Sequence, residues 1–438
     1  MLEKNYTKLL ALIVIISIVI RLSLFVVSPP NNSYDDHLEV INMYSENKVL
    51  PGSSDCWECY QPPIYYGICA TILNTATSLE LSPFTKWKSV QFLNILLSII
   101  LLFLYLKIMI QLKVSMEARL IVLSVLAFLP RDIFTSVMIG NDYLLTFFCV
   151  LAVLFFIRSY GNFRTRNSSN FRQDYFFLSL ICLLSFFTKQ HGLLMIVLPI
   201  LLMLNCVIGK WNAKFSFVII LLTFTIISLN SYTAYAETGQ LMVSNQHFFD
   251  YAINQQPGNI SKVEFSTFRY FSLLQEPFIS ESTLQSLPTE LFARTFFDYE
   301  WRFLSPNVEG SKFIGRIAYL WGMFWIILFA YWLFKYIKIR QAGFVIVALF
   351  VLASLFFLVP VIQTFRFPYF SSMKAMFVLP ALIIMSICLS KFIPILRTNF
   401  IVAIVLGNIF IGSSLFGFIV YNFPLSLLDL HGPLWLYP

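Results

Sequence analysis

Charged residues are scarce in this sequence. Only 12% of its 438 residues are Asp, Glu, Lys or Arg, about half the share that is usual in soluble globular proteins. Cysteine is rare at 7 residues, and glycine and proline number only 16 and 19. These shortages exclude a soluble globular protein, a disulfide-rich scaffold, and a collagen-like or disordered chain.

The sequence has long apolar segments instead. Hydrophobic residues make up 58% of the chain and aromatic residues 17%. Segments approaching the ~20 apolar residues that a membrane-spanning helix needs recur between residues 9 and 420, with short polar breaks. The sequence therefore predicts an all-α polytopic protein whose environment is the lipid bilayer. In a membrane protein the net charge of +8 reflects how basic residues are distributed between the loops on the two sides. It therefore does not indicate nucleic-acid binding, which we exclude.

About eleven transmembrane helices are predicted. They cover residues 9–28, 88–106, 117–131, 142–157, 175–188, 191–208, 215–235, 313–334, 341–362, 372–390 and 399–420. Lys and Arg concentrate in cytoplasmic loops, and the basic loops all fall on one side if the N-terminus is cytoplasmic. That side then contains only three acidic residues, Glu3, Glu117 and Asp174. We therefore expect a multi-pass protein of the cytoplasmic (inner) membrane with acid–base groups and the C-terminus on the exoplasmic, or periplasmic, side.

The apolar segment 62–79 is long enough to span the membrane, but we do not count it as a span. A crossing there would place every later basic loop on the exoplasmic side. The segment begins with two prolines, which suit the start of a helix. We interpret it as a re-entrant or juxtamembrane segment.

The chain then divides into an N-terminal transmembrane module at 1–235 with a first exoplasmic loop at 29–61, a large exoplasmic loop at 236–312, and C-terminal transmembrane helices at 313–438.

Two adjacent acids, Asp35 and Asp36, lie in the first exoplasmic loop. Residues 31–33 can cap a helix, and the apolar residues that follow repeat with helical spacing. This pattern predicts a short helix in the membrane interface, where partial desolvation and a neighbouring carboxylate can raise a pKa and create a general base. Alternatively, the two acids only favour the dipole of that helix.

Several short motifs follow the acid pair in order. They are Gln61-Pro62-Pro63-Ile64-Tyr65-Tyr66, then Pro130 with Asn141-Asp142-Tyr143-Leu144, then Thr188-Lys189-Gln190-His191-Gly192. Over about the first 200 residues this order resembles the type C glycosyltransferase superfamily, which includes protein O-mannosyltransferases and the aminoarabinose transferases of lipid A. The resemblance implies a sugar donor on a polyprenyl phosphate, with Asp35 and Asp36 catalytic and Asp35 as the base that deprotonates an acceptor hydroxyl.

A lipid-linked donor presents its phosphate at headgroup depth, where cations must stabilise the leaving charge. Candidates on the exoplasmic side are Lys189, Arg131, Arg366 and Lys374, with Arg294 and Arg302 in the large loop. Each could instead be a basic residue at a helix end that reaches the interface.

Further polar residues on that side are candidates for binding the acceptor or supporting the base. They are Asp142, Asn141, His37, His191, Tyr65 and Tyr66. Asn141 and Asp142 could instead cap their helix. A divalent metal bound by the two histidines with Asp36 or Glu58 stays an open alternative, because some aminoarabinose transferases bind zinc whereas protein mannosyltransferases need no such ion.

Two features of the exoplasmic loops remain. Cys56 and Cys59 form a Cys-x-x-Cys pair, and an oxidising compartment favours a disulfide there that stiffens the approach to Pro62. A redox motif or half of a zinc site is the alternative. The aromatic segment 296–301 of the large loop could stack on a sugar, or it could be core or interfacial anchoring.

The sequence thus predicts a membrane hexosyltransferase or pentosyltransferase that uses a polyprenyl-phosphate donor such as undecaprenyl phosphate-sugar. We expect no nucleotide-sugar pocket and no further soluble domain, which favours a glycolipid or polysaccharide acceptor, such as the O-antigen of lipopolysaccharide, over a folded protein. One alternative is an O-antigen polymerase or ligase, which would rely on Arg and His in the large loop. A secondary transporter is the other, but it would need polar or charged residues at mid-membrane depth, or two inverted halves. Apart from Arg21, the charged residues of the spans lie near the span ends.

Overall fold

The chain folds as a bundle of helices. The computed structural model describes residues 2–33, 35–47, 51–209, 213–241, 243, 261–283, 286–336, 343–366, 373–394 and 396–431. Within these ranges the only β pairing is a single parallel bridge between Ser33 and Ile139. The prediction of an all-α membrane protein is confirmed.

The described residues of the first half of the chain form ten helices. They are α1 (Leu2–Val27), α2 (His37–Asn47), α3 (Ile64–Ser78), α4 (Pro83–Gln111), α5 (Met116–Ala127), α6 (Pro130–Ser136), α7 (Asn141–Arg164), α8 (Ser168–Thr188), α9 (Val197–Ile208) and α10 (Lys214–Thr238). A 3-10 helix, Gln190–Ile196, leads directly into α9.

The described part of the second half contains three short helices, followed by three long ones and the 11-residue α16. They are α11 (Lys262–Ser266), α12 (Tyr270–Gln275), α13 (Leu287–Phe296), α14 (Ser311–Tyr336), α15 (Gly343–Arg366), α16 (Leu379–Leu389) and α17 (Thr398–His431). The 3-10 helix Ala375–Val378 precedes α16. The region between α10 and α14 corresponds to the predicted large loop.

Nine stretches of the described residues are long and apolar enough to cross a membrane, so the chain is a multi-pass membrane protein. They are Tyr6–Val27, Pro83–Gln111, Asn141–Arg164, Gln190–Ile208, Lys214–Thr238, Ser311–Phe334, Gly343–Thr364, Ala375–Phe392 and Thr398–Phe423. The other two predicted spans are also helical. However, α5 has only 12 residues because Pro130 starts a new helix, and the first turns of α8 contain Arg172, Gln173 and Asp174.

The segment 62–79 forms α3, which has 15 residues. A helix of that length is about 22 Å long, shorter than the ~30 Å hydrocarbon core. Lys88, near the start of α4, donates a hydrogen bond to the carbonyl of Ser28, just after α1, at 2.5 Å. Because α1 ends where α4 begins, the chain between them makes no net crossing, as the sequence predicts.

The loops sort onto two ends of the bundle. Asp35 contacts Lys374 at one end, which we call the Asp35 end. At the opposite end, Lys391 donates to the carbonyl of Leu112 at 2.6 Å, and Tyr6 donates to Thr398 at 3.2 Å. This is the alternation of loops that the basic residues predict.

A buried ion pair joins α1 to α6. Arg21 is fully buried and its guanidinium lies 2.5 Å from the carboxylate of Asp132. Arg21 also donates to the carbonyl of Ala127 at 3.0 Å, and Tyr143 donates to Asp132 at 2.8 Å. The buried charge of Arg21 is therefore balanced within the protein, and the pair fixes α1 against α5 and α6.

Candidate active site

Polar residues of α4 hold together the two loops that carry the site. The Gln91 amide donates to the carbonyl of Val137 at 2.6 Å and to the Ser28 hydroxyl at 3.0 Å. The Asn94 amide donates to the carbonyl of Met138 at 2.6 Å. Loops 28–33 and 137–140 therefore lie side by side, which places Asp35 and Asp142 at the same end of the bundle.

Asp35 is paired with Lys374, which directly precedes the 3-10 helix Ala375–Val378. The lysine ammonium donates to both carboxylate oxygens, each at 2.7 Å, and both side chains are mostly buried. Burial alone would raise the pKa of Asp35, but the charge and hydrogen bonds of Lys374, together with the charges of His37 and Lys189, outweigh burial and lower the pKa to about 2. The expected raised pKa is therefore wrong for this state of the site: Asp35 is an ionised carboxylate held by a cation.

Asp142 forms a second carboxylate–lysine pair with Lys189. The two side chains are buried and 2.7 Å apart. Asn141, which precedes Asp142, donates to the carbonyl of Thr188 at 3.3 Å, so the start of α7 is bonded to the end of α8. Asp142 and Lys189 are thus fixed by their own backbone segments as well as by each other.

A histidine and two tyrosines connect the site to α3. The His37 ring lies 2.8 Å from the Tyr66 hydroxyl, and the Tyr65 hydroxyl accepts from the backbone N–H of Gly140 at 2.8 Å. Burial lowers the pKa of His37 to about 4, so the ring is neutral at pH 7. The ring also lies beside Gly140, where a Cβ atom would be 3.3 Å from its Cδ2 atom. His37 is two residues after Asp35 and Gly140 two residues before Asp142, so the two ion pairs belong to one cluster.

Glu58 is a third carboxyl in the cluster, and the sequence singles it out only as one of two acids, with Asp36, that could bind a metal together with the histidines. It is only 3% exposed and accepts a hydrogen bond from the Gln61 amide at 2.9 Å; Gln61 in turn accepts one from Asn141 at 3.2 Å. Burial, and then the charge of Asp35, raises the pKa of Glu58 to about 8. The Cys56 and Cys59 sulfurs on either side of it are 2.01 Å apart, at disulfide bonding distance.

Glu58→Gln should make the protein more stable in neutral and mildly alkaline solution. The folded state keeps the Glu58 proton up to about pH 8, whereas the unfolded chain releases it near its ordinary pKa of 4.5. The wild type therefore loses stability as pH rises through this window, and glutamine does not titrate. We expect the melting temperature of Glu58→Gln to exceed that of the wild type by an amount that grows from pH 5 to pH 8.

The exposed Glu80→Gln variant is the control for that series. Its melting temperature should follow that of the wild type at each pH. A Glu58→Gln curve that runs parallel to the wild-type curve across the whole range would show that Glu58 is ionised in the folded protein.

The remaining predicted site residues lie elsewhere or only at the edge of the cluster. Arg131 is buried and donates to the backbone carbonyl of Arg294 in α13 at 2.8 Å. Asp36 is exposed. His191 packs its ring edge-on against Phe377, 5.6 Å between centroids. Arg366 ends α15, and its side chain lies outside the described part of the structure. In the described ranges no group of three or more His, Cys, Asp or Glu is placed to hold a metal ion.

Gly192 allows the turn that carries Lys189. A Cβ atom at this position would lie 2.2 Å from the backbone oxygen of Ser185 in α8. Gly192→Ala should therefore displace either the turn or the helix, at a cost of roughly 1–3 kcal/mol. We expect a clearly lower melting temperature in detergent.

Gly161→Ala is the matched control for this prediction, because a Cβ atom there meets nothing within 4 Å. It should melt at the wild-type temperature or slightly above. An unchanged melting temperature for Gly192→Ala would mean that the chain does not approach itself this closely.

Comparisons with known proteins relate this chain to others through structure. Neither the models of protein families nor the curated proteins give a match to the sequence. Among solved structures, the apo oligosaccharyltransferase of Archaeoglobus fulgidus superposes with a TM-score of 0.54 at 12% identity, over 98% of this chain and 60% of that chain. The same enzyme in complex with zinc and sulfate gives 0.52 at 13% identity, over 93% and 53%.

A third structure is the archaeal oligosaccharyltransferase AglB from Archaeoglobus fulgidus in complex with an inhibitory peptide and a dolichol-phosphate. It gives a TM-score of 0.52 at 12% identity, over 97% of this chain and 56% of that chain. At such identities the similarity establishes the fold. The polytopic helical fold that the resemblance implies is confirmed, and the chain spans less than two thirds of the length of this archaeal enzyme.

Proposed function

We propose that this chain is an integral-membrane glycosyltransferase that moves a sugar from a polyprenyl-phosphate-linked donor to an acceptor hydroxyl. The observation that carries the proposal is the cluster at the Asp35 end, where two lysines each hold a carboxylate, Lys374 to Asp35 and Lys189 to Asp142, at 2.7 Å. It is supported by the fold, which is similar to that of an oligosaccharyltransferase of which one structure is a complex with a dolichol-phosphate.

Asp35 accepts the proton in the reaction that we propose. The acceptor oxygen forms a bond to the anomeric carbon of the donor sugar, and the bond from that carbon to the phosphate oxygen breaks with its electron pair. The acceptor proton passes to Asp35, and polyprenyl phosphate leaves. Lys189 and Lys374 stabilise the charge that grows on the phosphate.

Lys374 links donor binding to the strength of the base. While it holds Asp35, the pKa of that carboxyl is about 2, which makes a weak base. A donor phosphate that draws Lys374 away removes the cation, so the burial of Asp35 then raises its pKa. The base would therefore become effective only when a donor is bound, and Asp35 would not take up a proton in the absence of donor.

An apolar groove beside the cluster supports a lipid-linked substrate. It lies between α2 and α3 and is lined by Tyr44, Pro63, Ile64, Gly67, Ile68 and Thr71. Tyr66, on another face of α3, contacts His37. A prenyl chain in this groove would place its phosphate near the cluster.

The finer assignment follows from the sequence. We propose that the N-terminus is cytoplasmic, that the Asp35 end is exoplasmic in the inner membrane, and that the carrier is undecaprenyl phosphate. The sugar is a hexose or pentose, and the acceptor is a glycolipid or polysaccharide such as O-antigen. Asp36 and the groups around Asp142 support the base and the acceptor.

A donor comparison tests the proposal. The purified full-length chain in lipid nanodiscs is incubated with undecaprenyl-phosphate-linked sugars or with the corresponding nucleotide sugars, together with glycolipid extracts as acceptors. We expect the chain to transfer sugar to the acceptor from at least one lipid-linked donor and from none of the nucleotide sugars. Consumption of nucleotide sugars, or of no donor in the presence of acceptor, would contradict it.

A further inference from the structure

Trp301 has an uncommon backbone conformation. Its φ angle is 53°, a left-handed value that bulky side chains rarely adopt. Its side chain is exposed, at 42%, and makes no ring contact with the described residues. The neighbouring rings of Phe296, Phe297 and Tyr299 are buried instead. The aromatic segment of the sequence therefore separates into core residues and one tryptophan that faces outward.

Asp298 holds this turn in place. Its buried carboxylate accepts backbone N–H groups from Arg302, Phe303 and Leu304 at 3.1, 2.6 and 2.8 Å. The N–H of Trp301 is bonded to the backbone carbonyl of Asp298 at 2.9 Å. Strained backbone that the surroundings enforce in this way is concentrated at ligand-binding and catalytic positions, whereas folding alone does not require an exposed tryptophan here.

The turn lies beside the loop of the proposed base. Arg302 donates to the backbone carbonyl of Ser33 at 3.4 Å, two residues before Asp35. Glu300, on the other side of Trp301, is bonded to Arg294 at 2.6 Å. Glu300 and Arg302 also approach each other, with Nε and Oε2 3.8 Å apart, so a carboxylate–guanidinium pair flanks the exposed Trp301 in the chain, next to the loop of Asp35.

We propose that Trp301 is the platform of a carbohydrate subsite that binds a sugar ring of the acceptor glycan next to Asp35. The C–H face of a sugar ring packs on an aromatic ring, while its hydroxyls reach the flanking polar groups, Glu300 and Arg302. Assigning the sugar to the acceptor rests on the proposed function; the binding itself does not.

Anchoring in the membrane interface is the rival role for an exposed tryptophan. An anchor needs only to lie at the right depth, and any unstrained backbone supplies that. Anchoring does not account for the strained turn, nor for the flanking carboxylate and guanidinium. The observations therefore favour the sugar.

Saccharide binding tests the proposal without any transfer reaction. Saturation-transfer NMR of the full-length protein in detergent would use a panel of glucose, galactose, mannose, N-acetylglucosamine and arabinose, each also as an oligosaccharide. We expect at least one to bind the wild type and Trp301→Phe, and binding to Trp301→Gly to be weaker by about tenfold or more. Phe271→Ala, which removes an exposed ring of the same region, should bind as the wild type does.

The melting temperature separates binding from structure. Trp301→Gly relieves a left-handed residue, so it should melt no lower than the wild type while it loses the saccharide. If transfer is established, the same variant should raise the KM for the acceptor and leave the KM for the donor unchanged. The proposal is overturned if no saccharide of the panel binds the wild type, if Trp301→Gly binds as well as the wild type, or if Trp301→Gly unfolds. It is also overturned if removing Trp301 lowers the fluorescence quenching by brominated lipids while saccharide binding is unchanged.

Discussion

Asp35→Asn should lower the rate of sugar transfer by about 10²–10⁴-fold, the usual contribution of a general base. The amide has the shape of the carboxyl, but it cannot take the acceptor proton. It can still accept a hydrogen bond from Lys374, which lies 2.7 Å from both oxygens of Asp35. The loss should therefore appear in kcat, with the donor still bound, and is measured by initial rates of transfer in nanodiscs.

Glu39→Gln is the control, because it removes a charge from an exposed carboxylate four residues away. Its rate should equal that of the wild type. Asp36→Asn shows whether the acid pair or Asp35 alone acts, and the exposure of Asp36 leads us to expect the smaller loss. Full transfer by Asp35→Asn would remove the base from the mechanism and favour the polymerase or transporter alternatives.

Asp132→Ala should destabilise the protein severely. It leaves the fully buried guanidinium of Arg21 without its carboxylate, and an unpaired buried charge costs about 3–5 kcal/mol. We expect a sharp fall in the melting temperature in detergent and a low yield of folded protein. Since the pair can be replaced by apolar residues of similar volume with little loss, Arg21→Met combined with Asp132→Leu should restore much of the stability.

The exposed pair of Lys312 and Glu276 provides the comparison. Its side chains are 48% and 34% exposed, so Glu276→Ala should change stability by no more than about 1 kcal/mol. Equal effects of Asp132→Ala and Glu276→Ala would mean that water reaches Arg21.

The positions of the helices could be predicted because apolar length alone decides which segments enter a bilayer. The alternation of basic loops then assigned Asp35, Asp142, Lys189 and Lys374 to one side, and the structure places all four in one cluster. Their roles in catalysis stay predictions. Two of the predicted spans, 117–131 and 175–188, form helices that are not long and apolar enough to cross a membrane. A proline begins a new helix soon after α5, and the first turns of α8 are polar.

The pairing of side chains could not be predicted. Asp35 and Lys374 are 339 residues apart, and only the packing of the helices determines that they meet. Gln91, Asn94 and Glu58 acquire their importance through burial and hydrogen bonds to other segments. A single sequence shows no such contacts, although an amide inside an apolar span is a signal that could be followed.

A structure of the full chain with undecaprenyl phosphate in nanodiscs, determined by electron cryo-microscopy, tests the central claim most directly. We predict the phosphate within hydrogen-bonding distance of the ammonium groups of Lys374 and Lys189, with Lys374 drawn away from Asp35. A phosphate bound at the opposite end of the bundle, near Arg158 or Lys391, or at the Asp35 end but apart from both lysines, would contradict it.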